Sequence, residues 1–212
     1  MLEAFKRNDH DLVFLGDIFD LWIALPRYEN DLHRRFLNWC AENKQHRRIG
    51  LIEGNHEFFV AEEHSPHFTW CTNAAWWRDE NNNLFVHGDR INRKDTKYLG
   101  FRKFTKNKLA KFIIRYFPYG PRIVKSMKRE LKNTNKAFRL NLPQIEIGTF
   151  AEDRFAEDAQ AIFTGHFHQE FVYNRNASGK MYILPDWCTT QKIAVSSPDS
   201  GDISVKHWEN IV

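Results

Sequence analysis

Residues 11–22 read DLVFLGDIFDLW, and their pattern recurs along the chain. Residues 12–15 are an apolar run of the kind that forms a buried strand. The run stops at Gly16 and is followed by two carboxylates, Asp17 and Asp20. Open α/β sheets place ligand sites at the carboxyl ends of their strands. A core strand that ends in acid therefore predicts a ligand site at that end.

The same pattern, a short apolar run followed by glycine and a residue type that binds metals, occurs three more times. Each run predicts a buried strand. The segments are RRIGLIEGNHE, which ends at Asn55 and His56; NLFVHGD, which ends at His87 and Asp89; and AQAIFTGHFH, which ends at His166 and His168. Four such endings in one chain are hard to obtain by accident, so we expect the polar side chains to converge.

The segments between these strands predict the remaining elements. YENDLHRRFLNWCAENKQ predicts an amphipathic helix from the spacing of Leu32, Phe36, Leu37 and Cys40. Strand, helix and strand in that order, with short connections, indicate a layered α/β fold. AAWWRDENNNLFVHG predicts a hairpin that turns at residues 81–83, and EFVYNRNASGKMYILPD predicts another that turns at residues 176–179. GDISVKHWEN predicts a final strand.

Length and composition limit the class of protein. A chain of 212 residues with 42% hydrophobic residues is expected to form a single domain over residues 1–212. Its cysteines are odd in number and form no close pair, which favours a reducing cytosol over a disulfide framework: Cys40, Cys71 and Cys188. The sequence shows neither a secretory signal core nor an apolar run of about 20 residues. We therefore expect a cytoplasmic protein that is at most peripheral at the inner membrane.

The charge is strongly segregated although the net charge is only +4. Residues 90–139 contain 17 Lys or Arg and two acids, so this segment carries +15 and the remainder −11. The same segment interleaves aromatic and aliphatic residues with cations and breaks near Pro118 and Pro121, which predicts two basic amphipathic helices. Such helices can hold acyl chains or contact an anionic membrane surface. The segment predicts an anionic partner.

The strand-end residues predict metal chemistry. Aspartate, asparagine and histidine together form a mixed oxygen and nitrogen donor set, which suits Mn, Fe or Zn, whereas Ca and Mg prefer oxygen alone. Cysteine is missing from these endings, which argues against a closed structural zinc site. Paired divalent ions can assist displacement at phosphorus by stabilising both the attacking and the leaving oxygen.

The fragments GDIFD, GNHE, HGD and GHFH, in this order, resemble the calcineurin-like metallophosphoesterases over nearly the whole chain. The resemblance implies a four-layered αββα sandwich and two divalent ions, with Mn expected and Fe or Zn as alternatives. It implies that Asp17 bridges the two ions and that His168 contributes to one site. It further implies that Asn55, His87 and His166 complete the other site with Asp17. By the same resemblance, His56 would stabilise developing charge or protonate the leaving oxygen.

One part of that family's pattern, an Asp-x-His motif after a first strand, would precede the stretch LEAFKRNDHD, which begins at residue 2. The chain begins within what resembles the helix that follows this strand, and Asp9-His10 has the wrong spacing to replace the motif. The expected fold therefore lacks its first strand. We expect the ion shared by Asp17 and His168 to have two protein ligands rather than four, and one site to be intact. A truncated or misassigned start is favoured over a natural variant with one metal.

A narrower resemblance involves LGDIFDLW, HGDRINRKDTKYLGFR and LPDW, which are similar to segments of the hydrolases that cleave the pyrophosphate of UDP-2,3-diacylglucosamine in lipid A synthesis. It implies an inserted basic helical cap over residues 95–140 that holds the acyl chains. The implied substrate contacts are Trp22, Phe58, Asp95, Tyr98, Phe101, Ser126, Asn133 and Lys136. Members of that subfamily carry Arg where this chain has His56, which leaves the substrate open.

Structural roles compete with these assignments. Asp20 is equally suited to cap a helix or to support a metal ligand. Trp22, Phe58, Tyr98 and Phe101 are equally suited to packing, and Asp89 and Glu57 to orienting neighbours. Three functions are carried forward: hydrolysis of a lipid-linked nucleoside diphosphate; hydrolysis of a nucleotide, nucleic acid or phosphoprotein; and an inactive remnant that binds anions. Oligomeric state is left open.

Overall fold

The computed structural model describes residues 2–6, 8–138, 142–175, 179–197 and 201–211, with the backbone alone for residues 130–138. The α-helices within these ranges are α1 (Leu2–Phe5), α2 (Asp31–Asn43), α3 (Val60–Glu63), α4 (Thr96–Thr105), α5 (Lys108–Tyr116), α6 (Gly120–Phe138), α7 (Gln144–Ala156) and α8 (Trp187–Thr190). Single 3-10 turns lie at Ser65–His67 and Trp208–Asn210.

The strands are short, with two to five residues each. They are β1 (Leu12–Phe14), β2 (Trp22–Ile23), β3 (Ile49–Ile52), β4 (Glu57–Phe58), β5 (Trp70–Thr72), β6 (Trp77–Arg78), β7 (Asn83–Val86), β8 (Ala161–Thr164), β9 (Phe171–Asn174), β10 (Lys180–Ile183), β11 (Lys192–Ser196) and β12 (Ile203–His207). All four strands predicted from the repeated pattern, β1, β3, β7 and β8, are present. The mixed α/β class is confirmed.

The strands form two main sheets. The first has the order β1-β3-β5 and is parallel throughout. The second has the order β6-β7-β8-β10-β9, in which β7, β8 and β10 are parallel and the outer strands β6 and β9 are antiparallel. The antiparallel strand pairs of both predicted hairpins, β6-β7 and β9-β10, are confirmed, although residues 176–178 of the second predicted turn lie outside the described ranges. The final strand β12 is also present and pairs with β11. A short parallel pair joins β2 to β4.

Helix α2 covers the first sheet. Asn30 begins it: the Asn30 side chain accepts from the backbone N–H groups of Leu32 and His33, and the His33 side chain accepts from the Asn30 N–H in return. Phe36 and Cys40 are buried in one apolar cluster with residues of β3. Leu32 was predicted to share this face, but its side chain is 60% exposed and does not belong to the cluster.

Aromatic residues join the two sheets. The indole of Trp70 in β5 lies so close to Gly50 in β3 that a Cβ there would be 2.0 Å from it. The other face of Trp70 stacks on Trp77 of β6, with ring centroids 3.9 Å apart. Phe85 then stacks on Phe163 across β7 and β8 at 5.3 Å. The chain of rings connects strands of both sheets and so helps to set where their carboxyl ends lie relative to each other.

The basic segment forms three helices, α4, α5 and α6, where the sequence predicted two. The extra break occurs because Asn107 caps α5, its side chain accepting from the N–H of Ala110 at 2.9 Å. Ile114 and Met127 are buried against Phe58 and its neighbours, and Tyr28 donates to the carbonyl of Ile114 at 3.0 Å. Each such burial contributes about 1.5–3 kcal/mol, which holds these helices on the body of the protein. None of the helices in the described ranges is long and apolar enough to cross a membrane.

Candidate metal centre

Four residues from the four repeated endings meet in one place. The side-chain oxygen Oδ1 of Asn55 lies 3.0 Å from Nε2 of His87 and 2.9 Å from Nδ1 of His166. Oδ2 of Asp17 lies 3.5 Å from the same Nε2 of His87. One ligand atom each from Asp17, His87 and His166 lie within 4.8 Å of one another. The structure therefore brings four of the five predicted ligands together.

Backbone conformation turns these side chains toward each other. Asp17 has a φ of 55° and His166 a φ of 68°, in the left-handed region that L-residues rarely adopt. His168 shares this conformation with a φ of 56°. Each of these positions follows the end of a parallel strand, where the chain must change direction. Left-handed residues at a site are a form of strain that the surrounding packing maintains.

Glycines permit the close approach of two of these loops. A Cβ on Gly16 would lie 2.4 Å from the backbone nitrogen of Gly54. A Cβ on Gly54 would lie 2.3 Å from Oδ1 of Asp17 and 2.6 Å from Cε1 of His87. Since real Cβ contacts are longer than about 3 Å, glycine is sterically required at both positions for this geometry.

The Glu57 carboxylate ties the loop after β1 to the loop after β3. It accepts hydrogen bonds from the backbone N–H groups of Asp17 at 2.7 Å, Ile18 at 2.8 Å and Gly54 at 2.9 Å. Its side chain is fully buried. Burial is the larger cause, and the nearby Asp17 carboxylate the smaller cause, of a raised pKa of Glu57. The backbone N–H of His56 adds a bond to Oδ1 of Asp17 at 2.9 Å. These contacts hold Asp17 in place.

Electrostatics keep the cluster in a form that can bind a cation. Burial by itself raises the pKa of Asp17, but His87, His56 and His166 more than offset this and lower it, so the carboxylate is anionic. Burial and then His87 lower the pKa of His166 to about 4, which leaves that imidazole neutral near pH 7. An anionic oxygen, an amide oxygen and neutral imidazole nitrogens are the donors that Mn, Fe and Zn accept.

The tautomer of His87 follows from its contacts. Its Nδ1 lies 2.5 Å from the carbonyl oxygen of Leu15, and because a carbonyl can only accept, Nδ1 carries the proton. The lone pair of Nε2 is therefore directed toward Asn55 and Asp17. A backbone carbonyl behind the ring is the usual support for a metal-binding histidine.

His168 lies apart from the three-residue cluster and contacts a carboxylate that sequence reasoning missed. Its Nδ1 lies 3.4 Å from Oδ1 of Asp186, whose Oδ2 also accepts from Thr189 at 3.0 Å. Asp186 follows β10, so it is another acid at a strand end. The signal was available in MYILPD, which has the same order of apolar run and acid. The proline in between hid the pattern.

His56 directly follows Asn55 and is half-buried. Its Nδ1 contacts the backbone carbonyl of Asp20 at 2.5 Å. The side chain of Asp20 is exposed, and its contribution here comes from the carbonyl. His56 is thereby held beside the cluster by contacts on both its backbone and its ring.

The two predicted loop aromatics lie in the core. Trp22 is 0% exposed; its Nε1 donates to Glu29 at 3.0 Å and its ring stacks on His33. Phe58 is 1% exposed and belongs to the cluster that anchors α5 and α6. Both side chains are enclosed by protein atoms, so their contacts are those of packing residues.

The residues predicted in the basic segment are spread along it. Asp95 caps α4 by accepting from the N–H of Tyr98 at 2.9 Å. Phe101 is half-buried against the cluster that contains Phe58, and Ser126 is exposed on α6. The side chains of Asn133 and Lys136 lie outside the described part of the chain.

Polar contacts fasten α4 to the strand ends. Tyr98 donates to the Asp89 carboxylate, and Nε of Arg102 lies 3.1 Å from the same carboxylate oxygen. Burial opposes ionisation of Asp89, but Arg102 holds its pKa well below the usual range. Lys106 donates to the carbonyl of Gly54, the residue before Asn55, and lies 3.8 Å from Glu53. Sequence reasoning missed Arg102, Lys106 and Glu53, which are hard to distinguish from the many surface charges around them.

Comparison with known proteins agrees with this geometry. The family model described as calcineurin-like phosphoesterase matches residues 1–170. The UDP-2,3-diacylglucosamine hydrolase of Shewanella piezotolerans is 21% identical over 211 residues, which is 95% of this chain and 87% of the relative. The protein of the same name from Stutzerimonas stutzeri is 25% identical over 199 residues, covering 83% of this chain and 77% of the relative. The protein of the same name from Pseudomonas fluorescens is 24% identical over 205 residues, which is 88% of this chain and 78% of the relative.

Proposed function

The chain belongs to the calcineurin-like phosphoesterases, a family of hydrolases, and on that premise we propose that it hydrolyses the pyrophosphate of UDP-2,3-diacylglucosamine or of a similar lipid-linked nucleotide. The observation that carries the catalytic part is the contact of one amide oxygen, Asn55 Oδ1, with both His87 and His166, beside the anionic Asp17. Such a cluster of donors is a site for a divalent cation and for the phosphate that it attracts.

The substrate class is supported by the chemistry of residues 95–140. Large apolar side chains on α4 and α5 are exposed, among them Phe104 at 78%, Leu109 at 69% and Phe112 at 56%. Cations such as Lys108 and Lys111 lie between them in the sequence. A lipid pyrophosphate presents acyl chains and negative charge together, so it uses both properties. We assign this segment as an inserted cap on a single αββα domain, and the relatives' names support the same substrate.

The donors at the centre would be divided between two divalent ions, manganese in our proposal, with iron or zinc as alternatives. Asp17, Asn55, His87 and His166 would hold one ion, and Asp17 with His168 would contribute to the other. Bound divalent cations supply charge stabilisation at phosphorus and an activated water near neutral pH. The protein's own part is to keep Asp17 ionised, the imidazole of His166 neutral and the loops fixed by Glu57.

We assign His56 the proton transfer to the leaving oxygen. Its Nδ1 faces the Asp20 carbonyl, so that nitrogen keeps its proton throughout. Nε2 would deliver a proton to the leaving oxygen from the imidazolium form, which leaves the neutral ring with its proton on Nδ1. The position after Asn55 places this ring next to the cluster without making it a ligand. Loss of His56 should therefore lower kcat more than it lowers metal affinity.

The direct test measures UMP released from UDP-2,3-diacylglucosamine by the purified protein with added Mn²⁺. Asn55→Ala should abolish the release, whereas Asn133→Ala in the basic segment should raise KM more than it lowers kcat. Undiminished turnover by Asn55→Ala would refute the site. A protein that retains no Mn, Fe or Zn and shows no turnover with added Mn²⁺ would instead be an inactive anion-binding remnant.

His56 supports a second candidate, a phosphoesterase for nucleotides, nucleic acid or phosphoprotein, because the lipid A subfamily has arginine at this position. The two candidates respond differently to conditions. Activity on nucleic acid should fall steeply with salt and be indifferent to detergent, since phosphate contacts release counterions. Activity on the lipid substrate should depend on detergent or vesicles. We propose a cytoplasmic location with binding to anionic membranes, which sedimentation with phosphatidylglycerol vesicles tests.

A further inference from the structure

A basic pocket lies beside the metal centre, between α4 and the loops that follow β5 and β7. Its volume is about 410 Å³, and it is lined by Asn73, Ala74, Arg90, Leu99, Arg102, Lys103 and Lys106. Pockets that hold small ligands begin at about 300 Å³, so the space is sufficient for a phosphorylated molecule. The lining residues are distinct from Asp17, Asn55, His87 and His166.

The four cations in this pocket exceed the acids that face them. Arg102 contacts Asp89, and Lys106 lies near Glu53, which leaves the charges of Arg90 and Lys103 in excess. Burial is the main cause that lowers the pKa of Lys106 to about 8, and repulsion by the positive charge of Arg102 is the second. The same two causes lower the pKa of Arg90. Crowded cations of this kind are stabilised by a bound anion.

The donors are fixed before any ligand arrives. Arg90 is held by its Nη2 on the carbonyl of Asn73, and Arg102 by its Nε on Asp89. Each guanidinium has five N–H donors, so these single contacts leave others to bind an oxyanion. Leu99, Arg102 and Lys103 lie at positions i, i+3 and i+4 of α4 and share one face of the helix, and Lys106 follows directly after its last residue.

We propose that this pocket binds a phosphate group, as inorganic phosphate or as a phosphate ester, independently of the metal centre. The pocket's charge, its preformed guanidinium donors and its size carry the assignment. The floor of the pocket contacts the loop that carries Asn55, because Lys106 donates to the carbonyl of Gly54. A phosphate bound here is thus adjacent to the reaction site but held by different residues.

The test compares two exposed lysines of α4, Lys103, which lines the pocket, and Lys97, which does not. Lys103→Glu and Lys97→Glu change the net charge equally, but Lys97 lies on the opposite face of the helix. The full chain, stripped of metal with EDTA, is titrated with inorganic phosphate and separately with UMP by calorimetry at constant ionic strength. Lys103→Glu should weaken binding about tenfold or more, and Lys97→Glu less than about threefold, because charge-assisted hydrogen bonds act locally.

The outcomes separate this pocket from the proposed catalytic function. If Lys103→Glu weakens the binding of inorganic phosphate but not of UMP, the pocket is a site for the free ion. If it weakens the binding of both ligands, the pocket also admits phosphate esters. Asn55→Ala, which removes hydrolysis in our proposal, should keep phosphate binding. Equal effects of the two charge reversals, or no effect of either on a folded protein, would overturn the assignment.

Discussion

Replacing Gly54 by alanine perturbs the metal centre without introducing charge or removing a hydrogen bond. The added Cβ would lie 2.3 Å from Oδ1 of Asp17, 2.6 Å from Cε1 of His87 and 2.8 Å from the Asp17 nitrogen. The φ angle of Gly54 is outside the left-handed region, so alanine fits the local backbone. Steric overlap with two proposed metal ligands is therefore the whole effect.

The size of the effect follows from these distances. Non-bonded carbon and oxygen atoms approach to about 3.4 Å, so the Asp17 carboxylate must retreat by about 1 Å. Metal sites tolerate shifts of about 0.2 Å in ligand distance, and a misplacement of about 1 Å in a catalytic site can cost about 100-fold. We expect kcat/KM to fall by about 100-fold and Mn²⁺ affinity to fall at least tenfold. Overpacking should also cost about 1–3 kcal/mol of unfolding free energy.

The assay combines Mn²⁺ titration calorimetry, urea unfolding and release of UMP. Two other glycines serve as matched controls. Gly50→Ala overlaps the Trp70 indole at 2.0 Å, far from the ligands, and should lower stability while keeping Mn²⁺ affinity. Gly100→Ala lies within α4 with nothing within 4 Å of the added Cβ, and should raise stability by about 0.5–1 kcal/mol.

Wild-type Mn²⁺ affinity in Gly54→Ala would refute the reasoning, because it would mean that Asp17 and His87 do not bind the ion in this geometry. Equal losses of Mn²⁺ affinity in Gly50→Ala and Gly54→Ala would refute it as well. Such a result would assign the effect to general destabilisation rather than to displaced ligands.

Three further predictions concern contacts that surround the centre. Asp186→Ala should weaken Mn²⁺ binding about tenfold by releasing His168, whereas Thr189→Val should change it little; calorimetry that finds no difference between them would exclude Asp186 as a positioning residue. Tyr98→Phe should lower the urea unfolding free energy by about 1–3 kcal/mol, because buried Asp89 loses a donor; an unchanged midpoint would contradict this. The pKa of Lys106 is about 8 in the folded protein, below its ordinary value of 10.5. Between these two pH values the unfolded chain binds more protons than the folded chain, so the free energy of unfolding should rise with pH. The rise should be roughly 3 kcal/mol at most. Lys106→Met should lack this rise in urea melts between pH 7 and 10, and parallel curves for the two proteins would show that the pKa of Lys106 is not shifted.

The convergence of the candidate metal ligands could be predicted because their signal is local. An apolar run, a glycine and a ligand type are adjacent in the chain, and parallel strands bring such endings to one edge. Asn55, His87 and His166 accordingly meet, and the fold class and both hairpins were confirmed. The four-layered arrangement and the cap remain predictions about how these elements are layered.

Errors arose where a residue's role depends on distant neighbours. Leu32 matched the helical spacing, but its side chain is exposed rather than packed in the core. Asn107 begins a separate helix in the basic segment because its side chain accepts a hydrogen bond from the N–H of Ala110. Trp22 and Phe58 were equally suited to substrate and core until burial was known. Asp186 was missed because proline interrupts the pattern.

The amino-acid sequence alone determined the fold class and which residue types follow the buried strands, since both are local patterns of consecutive residues. The tertiary structure alone decided which charges act on one another. Arg102 meets Asp89 across 13 positions and Lys106 meets Gly54 across 52, and no local pattern encodes such distances. Their partners, their burial and the shifted pKa of Lys106 arise only when packing removes water and brings remote segments within a few ångströms.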